Sequence, residues 1–229
     1  FGLFSYLQDV AGRHASILNF GRDDLMRSNK FWALSRIICK IERLPLWNEI
    51  VKLRTWPLGI DGIFAIRNYQ ILDSKNLVIA EASSSWIILD GDSRRPVRPD
   101  SYIENLKNAA TVEKFSCRIA KKLPPAGSGI YRSKFHKVKY SDLDINMHVN
   151  NAKYIQWVVD SYPLEYIQTH EAREVEVNYL AEVTPGDEYN ITAEEKEEIF
   201  YHSVVKDNMK REACRVRIKW LTCSDAKVY

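Results

Sequence analysis

The sequence lacks a large charge excess and long apolar runs, and each absence excludes a class of protein. Its 33 basic and 30 acidic residues leave a formal net charge of +3, without a long basic run, so nucleic-acid binding is not indicated. The sequence has no stretch of about 18 uncharged apolar residues, the length that a transmembrane helix requires. We therefore expect no nucleic-acid partner and no membrane span in these 229 residues.

Cysteine is also scarce. The four cysteines lie far apart and form no CxxC pair; they are Cys39, Cys117, Cys214 and Cys223. A chain of this length can fold around its own apolar core, so we expect free thiols and a reducing compartment. The start shows no basic segment followed by an apolar one, as a secretion signal would. Because Phe1 opens directly into a helical pattern, we expect upstream residues to be missing.

The first half of the chain has the pattern of one helix followed by four strands. Apolar residues recur at spacings of three and four over residues 3–20, which is typical of an amphipathic helix. Segments rich in apolar, β-branched and aromatic residues follow at 31–41, 50–56, 63–72 and 77–89. Strands of such length joined by short turns favour an antiparallel sheet.

The second half repeats this order after a segment rich in proline and glycine. The pattern predicts a strand at 131–140, a helix at 151–169 and strands at 173–179, 188–195, 200–206 and 212–221. Helix and four strands, twice, indicate an internal duplication of an α+β unit. The first copy lacks a leading strand, which a truncated start would explain.

The duplication predicts two domains. We assign residues 1–100 to an N-terminal domain, residues 101–129 to a linker with a short helix near 100–108, and residues 130–229 to a C-terminal domain. Two such units in one chain can pair their sheets as the two subunits of a homodimer do. A monomer and a homodimer both stay open.

The chemistry is concentrated in the run DLDINMHVNN at residues 142–151, where polar and apolar residues alternate. A strand would place Asp144, Asn146 and His148 on one face. A loop is favoured, because the asparagines that end the run suit the N-cap of the predicted helix. In both cases a carboxylate, a carboxamide and an imidazole converge near backbone N–H groups that can stabilise an oxyanion. Thioester hydrolysis requires such a set.

Plainer interpretations of this run stay open. The same letters suit a polar turn that only caps a helix. A metal site at His148 is disfavoured, because no second histidine or cysteine lies at ligand spacing nearby. We expect no metal and no organic cofactor.

Residues 142–151 resemble the signature of the plant and bacterial acyl-ACP thioesterases. The likeness continues in order at KYIQW (153–157), YP (162–163), THE (169–171) and YLAE (179–182), and earlier at WALSR (32–36) and TWP (55–57). The resemblance implies a tandem hotdog fold, in which a curved antiparallel sheet wraps a long central helix in each unit. It also implies hydrolysis of fatty acyl-ACP to free fatty acid and holo-ACP.

The resemblance implies a catalytic set of four residues, namely Asp144, Asn146, His148 and Glu182. Val183 stands where plant members carry a cysteine once considered a nucleophile, so a thiol nucleophile is impossible there. Asp144 would attack the thioester carbonyl or activate water. Asn146 and His148 would orient the carboxylate and polarise the carbonyl, and Glu182 would hold or activate the hydrolytic water. The sequence leaves the anhydride and direct-water routes open.

The resemblance also suggests where substrate and carrier protein bind. We expect the acyl chain in the N-terminal domain, with Asn150, Trp32 and Trp56 as candidate substrate-binding residues and Trp86 as a further tunnel candidate. Tryptophans in strands are usually core residues, and His14 is more often a packed helix histidine. Candidate docking residues for acyl carrier protein (ACP) are Arg94, Arg95, Lys121 and Lys122, with Arg98 nearby, although charged loop residues are usually only solvated.

Two other functions stay open for this sequence. One is an acyl-CoA thioesterase of the wider hotdog group, and the other is a non-catalytic acyl-binding protein, because a fold does not determine an activity. A bacterial member would be cytoplasmic, whereas a plastid location would require a leader that this sequence does not contain.

Overall fold

The computed structural model describes residues 2–99, 115–127, 131–144, 146–206 and 211–223. The chain splits into two compact units, Gly2–Ala120 and Lys121–Tyr229. This division falls inside the predicted linker, and the short helix predicted near 100–108 lies outside the described residues. Helices and antiparallel strands in both units confirm the predicted α+β class.

The described part of the N-terminal unit contains two helices and an antiparallel sheet. The helices are α1 (Gly2–Ile17) and α2 (Arg22–Met26); the strands are β1 (Lys30–Ile41), β2 (Lys52–Asp61), β3 (Phe64–Leu72), β4 (Val78–Asp90) and β5 (Pro96–Val97). The order is β2-β3-β4-β1, and β5 pairs with the end of β4. The predicted helix and the four predicted strands of this half are confirmed, with shifted ends.

Helix α1 packs against this sheet through one side. Phe4, Leu7, Ala11 and Ala15 are buried, and their spacing of three or four residues aligns them along the helix. The last two are small. They leave space between the helix and the sheet, and a cavity occupies it.

Strand β2 continues past Pro57, so its predicted end at residue 56 was wrong. This strand lies at the edge of the sheet, where a proline need not break the hydrogen-bond ladder. The pairing with β3 shifts between Pro57 and Gly59, and Gly59 has a φ of 143°. Glycine adopts that conformation readily, and the resulting bulge lets the strand run on to Asp61.

The described part of the C-terminal unit has the same kind of architecture. The strands are β6 (Tyr131–Arg132), β7 (His136–Lys137), β8 (His170–Tyr179), β9 (Glu188–Lys196), β10 (Ile199–Lys206) and β11 (Arg211–Thr222), and the helices are α3 (Asn151–Val159) and α4 (Leu164–Thr169). The sheet order is β8-β11-β10-β9-β6, and β7 also pairs with β9. The four predicted strands after residue 170 are confirmed.

Two predictions for this unit were wrong. The helix predicted at 151–169 is two helices, because Pro163 disfavours helical continuation and is instead the N-cap of α4. The strand predicted at 131–140 is reduced to β6 and β7. Between these two short strands the Ser133 hydroxyl accepts the N–H of Ile191 at 2.9 Å, so a side chain replaces a main-chain partner and interrupts the ladder.

Buried carboxylates hold the described part of the predicted linker. In the N-terminal unit, Glu81 accepts from the N–H and the hydroxyl of Ser116 at 2.8 and 2.6 Å. In the C-terminal unit, Glu176 accepts from the N–H of Lys121 at 2.6 Å. Ser116 is thereby fixed to the N-terminal unit and Lys121 to the C-terminal unit, because a buried carboxylate without a hydrogen-bond partner is costly.

Candidate active site

The run at residues 142–151 forms a tight loop that leads into α3. Leu143 and Val149 pair as an isolated antiparallel bridge, and the N–H of Asp144 donates to the carbonyl of His148 at 2.8 Å. Met147 turns the chain with a φ of 62°, a left-handed conformation that is uncommon for a residue with a side chain. The loop alternative is therefore confirmed over the strand.

The Asp144 carboxylate is fixed by its own loop. Its Oδ1 accepts from the N–H groups of Asn146 at 2.8 Å and His148 at 3.2 Å. No hydrogen bond to Oδ2 occurs within the described part of the chain. One oxygen thus orients the group while the other remains available to a water molecule or a substrate carbonyl.

The structure brings His148 and Glu182 together. The imidazole Nε2 lies 3.8 Å from the Glu182 Oε2, and the two side chains are 34% and 52% exposed. This distance is too long for a direct hydrogen bond, but both groups can contact one water molecule. The cause of the approach is a main-chain contact, because the N–H of Val149 donates to the carbonyl of Val183 at 3.1 Å.

The N-terminus of α3 completes the arrangement. The Asn150 side chain accepts the N–H of Ala152 at 2.9 Å, so the candidate substrate-binding residue Asn150 acts as a helix cap. The phenol oxygen of Tyr154 accepts the N–H of Val183 at 3.2 Å. This bond fixes α3 to the segment that carries Glu182. Val183 itself is completely buried, so a side chain at this position does not face a substrate.

The cavity of the N-terminal unit has a volume of about 150 Å³ and includes Trp32 and Trp86 in its wall. Both indole N–H groups already have acceptors within the unit. Trp32 donates to the carbonyl of Phe20 at 2.9 Å, and Trp86 donates to the hydroxyl of Ser84 at 2.7 Å. The tryptophans therefore offer their carbon faces to an apolar ligand.

Of two further residues of this unit, Trp56 is not part of the cavity lining, whereas Arg67 is. Trp56, the other substrate-binding candidate, is buried and packs edge-on against Phe115 with ring centroids 5.4 Å apart. Arg67 lines the cavity, and our sequence reasoning missed it. A signal existed, because Arg67 is the one charged residue in the segment FAIRNYQIL of β3, which is otherwise uncharged and mostly apolar.

The candidate docking residues are exposed, but they belong to different units. Arg94 and Arg95 lie after β4 in the N-terminal unit, and the Arg94 guanidinium stacks over the Phe31 ring at 4.9 Å. Lys121 and Lys122 are exposed in the C-terminal unit. A shared docking surface stays a prediction.

The described ranges contain neither a cluster of metal ligands nor a membrane-spanning helix. These ranges contain no group of three or more histidine, cysteine or acidic residues that could hold a metal ion. No helix among them is long and apolar enough to cross a membrane. All four cysteines are free thiols.

Comparisons with known proteins agree with the predicted resemblance. Family models described as the N-terminal and C-terminal domains of acyl-ACP thioesterases match residues 2–106 and 129–222. The chain is 30% identical to an oleoyl-acyl carrier protein thioesterase of Coriandrum sativum over 79% of this chain and 53% of that protein. It thus spans about half the length of the curated relatives it matches.

Solved structures give the same result for the fold. An acyl-ACP thioesterase from Bacteroides thetaiotaomicron is 30% identical, with a TM-score of 0.84 over 96% of this chain and 88% of that one. A 12:0-ACP thioesterase from Umbellularia californica is 21% identical, with a TM-score of 0.83 over 96% and 89%, and supports the fold alone. The predicted tandem hotdog fold is confirmed.

Proposed function

Because this chain belongs to the acyl-ACP thioesterase family, we propose that it hydrolyses fatty acyl-ACP to free fatty acid and holo-ACP. The observation that carries this proposal is the Asp144 carboxylate, whose Oδ1 is held by two N–H groups. Its second oxygen lies in the loop that leads to α3. A pre-oriented carboxylate at such a place is suited to attack a carbonyl or to deprotonate water.

The residues around Asp144 supply the remaining parts of the reaction. Asn146 and His148 polarise and orient the reacting carbonyl, and the positive end of the α3 dipole helps to stabilise the developing oxyanion. Glu182, 3.8 Å from His148, holds or deprotonates the hydrolytic water. The thiol of the carrier leaves with a proton, and water supplies the second oxygen of the fatty acid.

Two routes satisfy this balance. In the first, Asp144 forms an acyl anhydride that water then hydrolyses; in the second, a carboxylate activates water for direct attack. A single turnover in water labelled with heavy oxygen separates them. The anhydride route can leave the label in the Asp144 side chain, whereas the direct route places it only in the fatty acid.

The substrate is tested by measuring free fatty acid release from acyl-ACP and from acyl-CoA of the same chain length. The proposal predicts a clearly higher kcat/KM on acyl-ACP. Faster hydrolysis of acyl-CoA would favour a thioesterase for that carrier, and binding without release would indicate an acyl-binding protein. A mixed acyl-ACP pool in the same assay reveals the preferred chain length.

Binding of the carrier protein is tested by substitutions of the exposed basic residues. ACP is acidic, so basic side chains on the enzyme would steer its approach. Reversing Arg94 and Arg95 to glutamate, or Lys121 and Lys122 to glutamate, should raise KM for acyl-ACP, and added salt should diminish the difference. The rate on acyl-CoA serves as the control. An unchanged KM for both pairs would remove these residues from the docking surface.

A further inference from the structure

A buried cation lies in the mostly apolar wall of the cavity of the N-terminal unit. Arg67 on β3 is 6% exposed and contributes to the cavity lining. On the helix side the wall includes Ala11 and Ala15, and on the sheet side it includes the faces of Trp32 and Trp86. These walls suit an alkyl chain, but they supply no partner for the charge of a guanidinium.

The protein partners of Arg67 do not neutralise its charge. Its Nη1 donates to the hydroxyl of Thr55 at 3.1 Å and contacts Nδ1 of His14 at 2.9 Å. Burial and the neighbouring guanidinium lower the pKa of His14, so this imidazole is a neutral acceptor near neutral pH. Within the described part of the chain, Arg67 forms no ion pair.

The other edge of the guanidinium is available to a ligand. Nε and Nη2 make no hydrogen bond within the described residues. Both atoms keep some solvent-accessible surface, because neither is among the fully buried side-chain atoms that have no hydrogen-bond partner. Arg67 is almost wholly buried and lines the cavity, so the cavity is the route by which a ligand would reach this edge. Two parallel N–H groups on one edge match the two oxygens of a carboxylate.

We propose that this cavity binds an alkyl carboxylate, with the chain against the apolar walls and the carboxylate on the Nε–Nη2 edge of Arg67. A buried charge without a counter-charge is unfavourable, and such a ligand would supply the missing anion. The inference goes beyond the proposed hydrolysis, and its binding test requires no turnover.

The test compares octanoate with octanol, which carries the same chain without the charge. Binding is followed by calorimetry and by the fluorescence of the cavity tryptophans. The wild-type protein should bind octanoate about 10- to 100-fold more tightly, the range expected for hydrogen bonds to a charged group. Equal or tighter binding of octanol by the wild-type protein would overturn the proposal without the use of any variant.

Variants locate the source of this preference. Arg67→Met should remove the preference for octanoate while retaining octanol binding, and Arg67→Lys should retain only part of it, because lysine lacks the planar fork. The matched control is Arg13→Met, which removes an exposed arginine of α1 that is not part of the cavity lining and should leave the preference unchanged. Retention of the preference in Arg67→Met, or its loss in Arg13→Met, would contradict the assignment.

The carboxylate can come from a free fatty acid or from the distal end of an acyl chain. If octanoate competes with acyl-ACP in wild type but not in Arg67→Met, the source is the free acid. If an acyl-ACP with a distal carboxylate has a lower KM than the plain acyl-ACP, and Arg67→Met abolishes the difference, the source is the substrate. Failure of hydrolysis itself would count against the proposed function and would leave the octanoate binding result intact.

Discussion

Removal of the Tyr154 hydroxyl is the most direct test of how α3 and the segment that carries Glu182 are held together. Its oxygen accepts the buried N–H of Val183 at 3.2 Å, and burial raises the pKa of this phenol, which stays protonated. Tyr154→Phe removes the acceptor and leaves a buried N–H unsatisfied, which should lower the free energy of unfolding by about 1–3 kcal/mol. Urea denaturation measures this loss.

The same variant should also lower kcat, because the Val183 segment carries Glu182 towards His148. The matched control is Tyr179→Phe, which removes a donor to the carbonyl of Asn151 at 2.9 Å. That carbonyl also accepts within the helix, so we expect a smaller loss of about 0.5–1.5 kcal/mol. A smaller loss for Tyr154→Phe than for Tyr179→Phe, with an unchanged kcat, would refute the reasoning.

Three further predictions concern stability. Gly12→Ala in α1 should raise the free energy of unfolding by about 1 kcal/mol, since the added Cβ meets no atom within 4 Å; thermal denaturation checks it. Lys206→Met should cost about 3 kcal/mol in urea denaturation, because it leaves the buried Asp187, 2.6 Å from the Lys206 ammonium, without its cation. Burial lowers the pKa of His202 from 6.5 to about 4. Between pH 6.5 and about 4 the imidazole is protonated in the unfolded chain but not in the folded one. The free energy of unfolding should therefore fall by up to about 3 kcal/mol as the pH drops from 6.5 to 4, and His202→Asn should flatten this dependence.

Much of the fold could be predicted because the strands carry their own local signals. Segments such as β3 and β4 are long, apolar and bounded by turns, and their existence needs no tertiary information. The end of β2 could not be predicted in this way. A proline is tolerated where a strand lies at the edge of a sheet, and the position of a strand in its sheet is not visible in the local sequence. The division of the second helix was predictable in principle, since Pro163 is visible in the sequence.

The candidate site could be predicted in its residues but not in its geometry. The loop and the Asn150 cap follow from local spacing. The approach of His148 to Glu182 depends on the main-chain contact between Val149 and Val183, which no periodicity reveals. A charge inside a mostly apolar strand was the signal for Arg67, but the sequence does not show which groups the guanidinium contacts.

The most direct test of the central claim is single-turnover release of free fatty acid from acyl-ACP by Asp144→Asn. The asparagine oxygen can still accept the two N–H bonds of the loop, so the fold should persist while the carboxylate chemistry is lost. Asp160→Asn, at the opposite end of α3, is the matched control and should retain wild-type rates. We predict a loss of at least about 100-fold for Asp144→Asn; a rate equal to that of the control would contradict a mechanism based on this carboxylate.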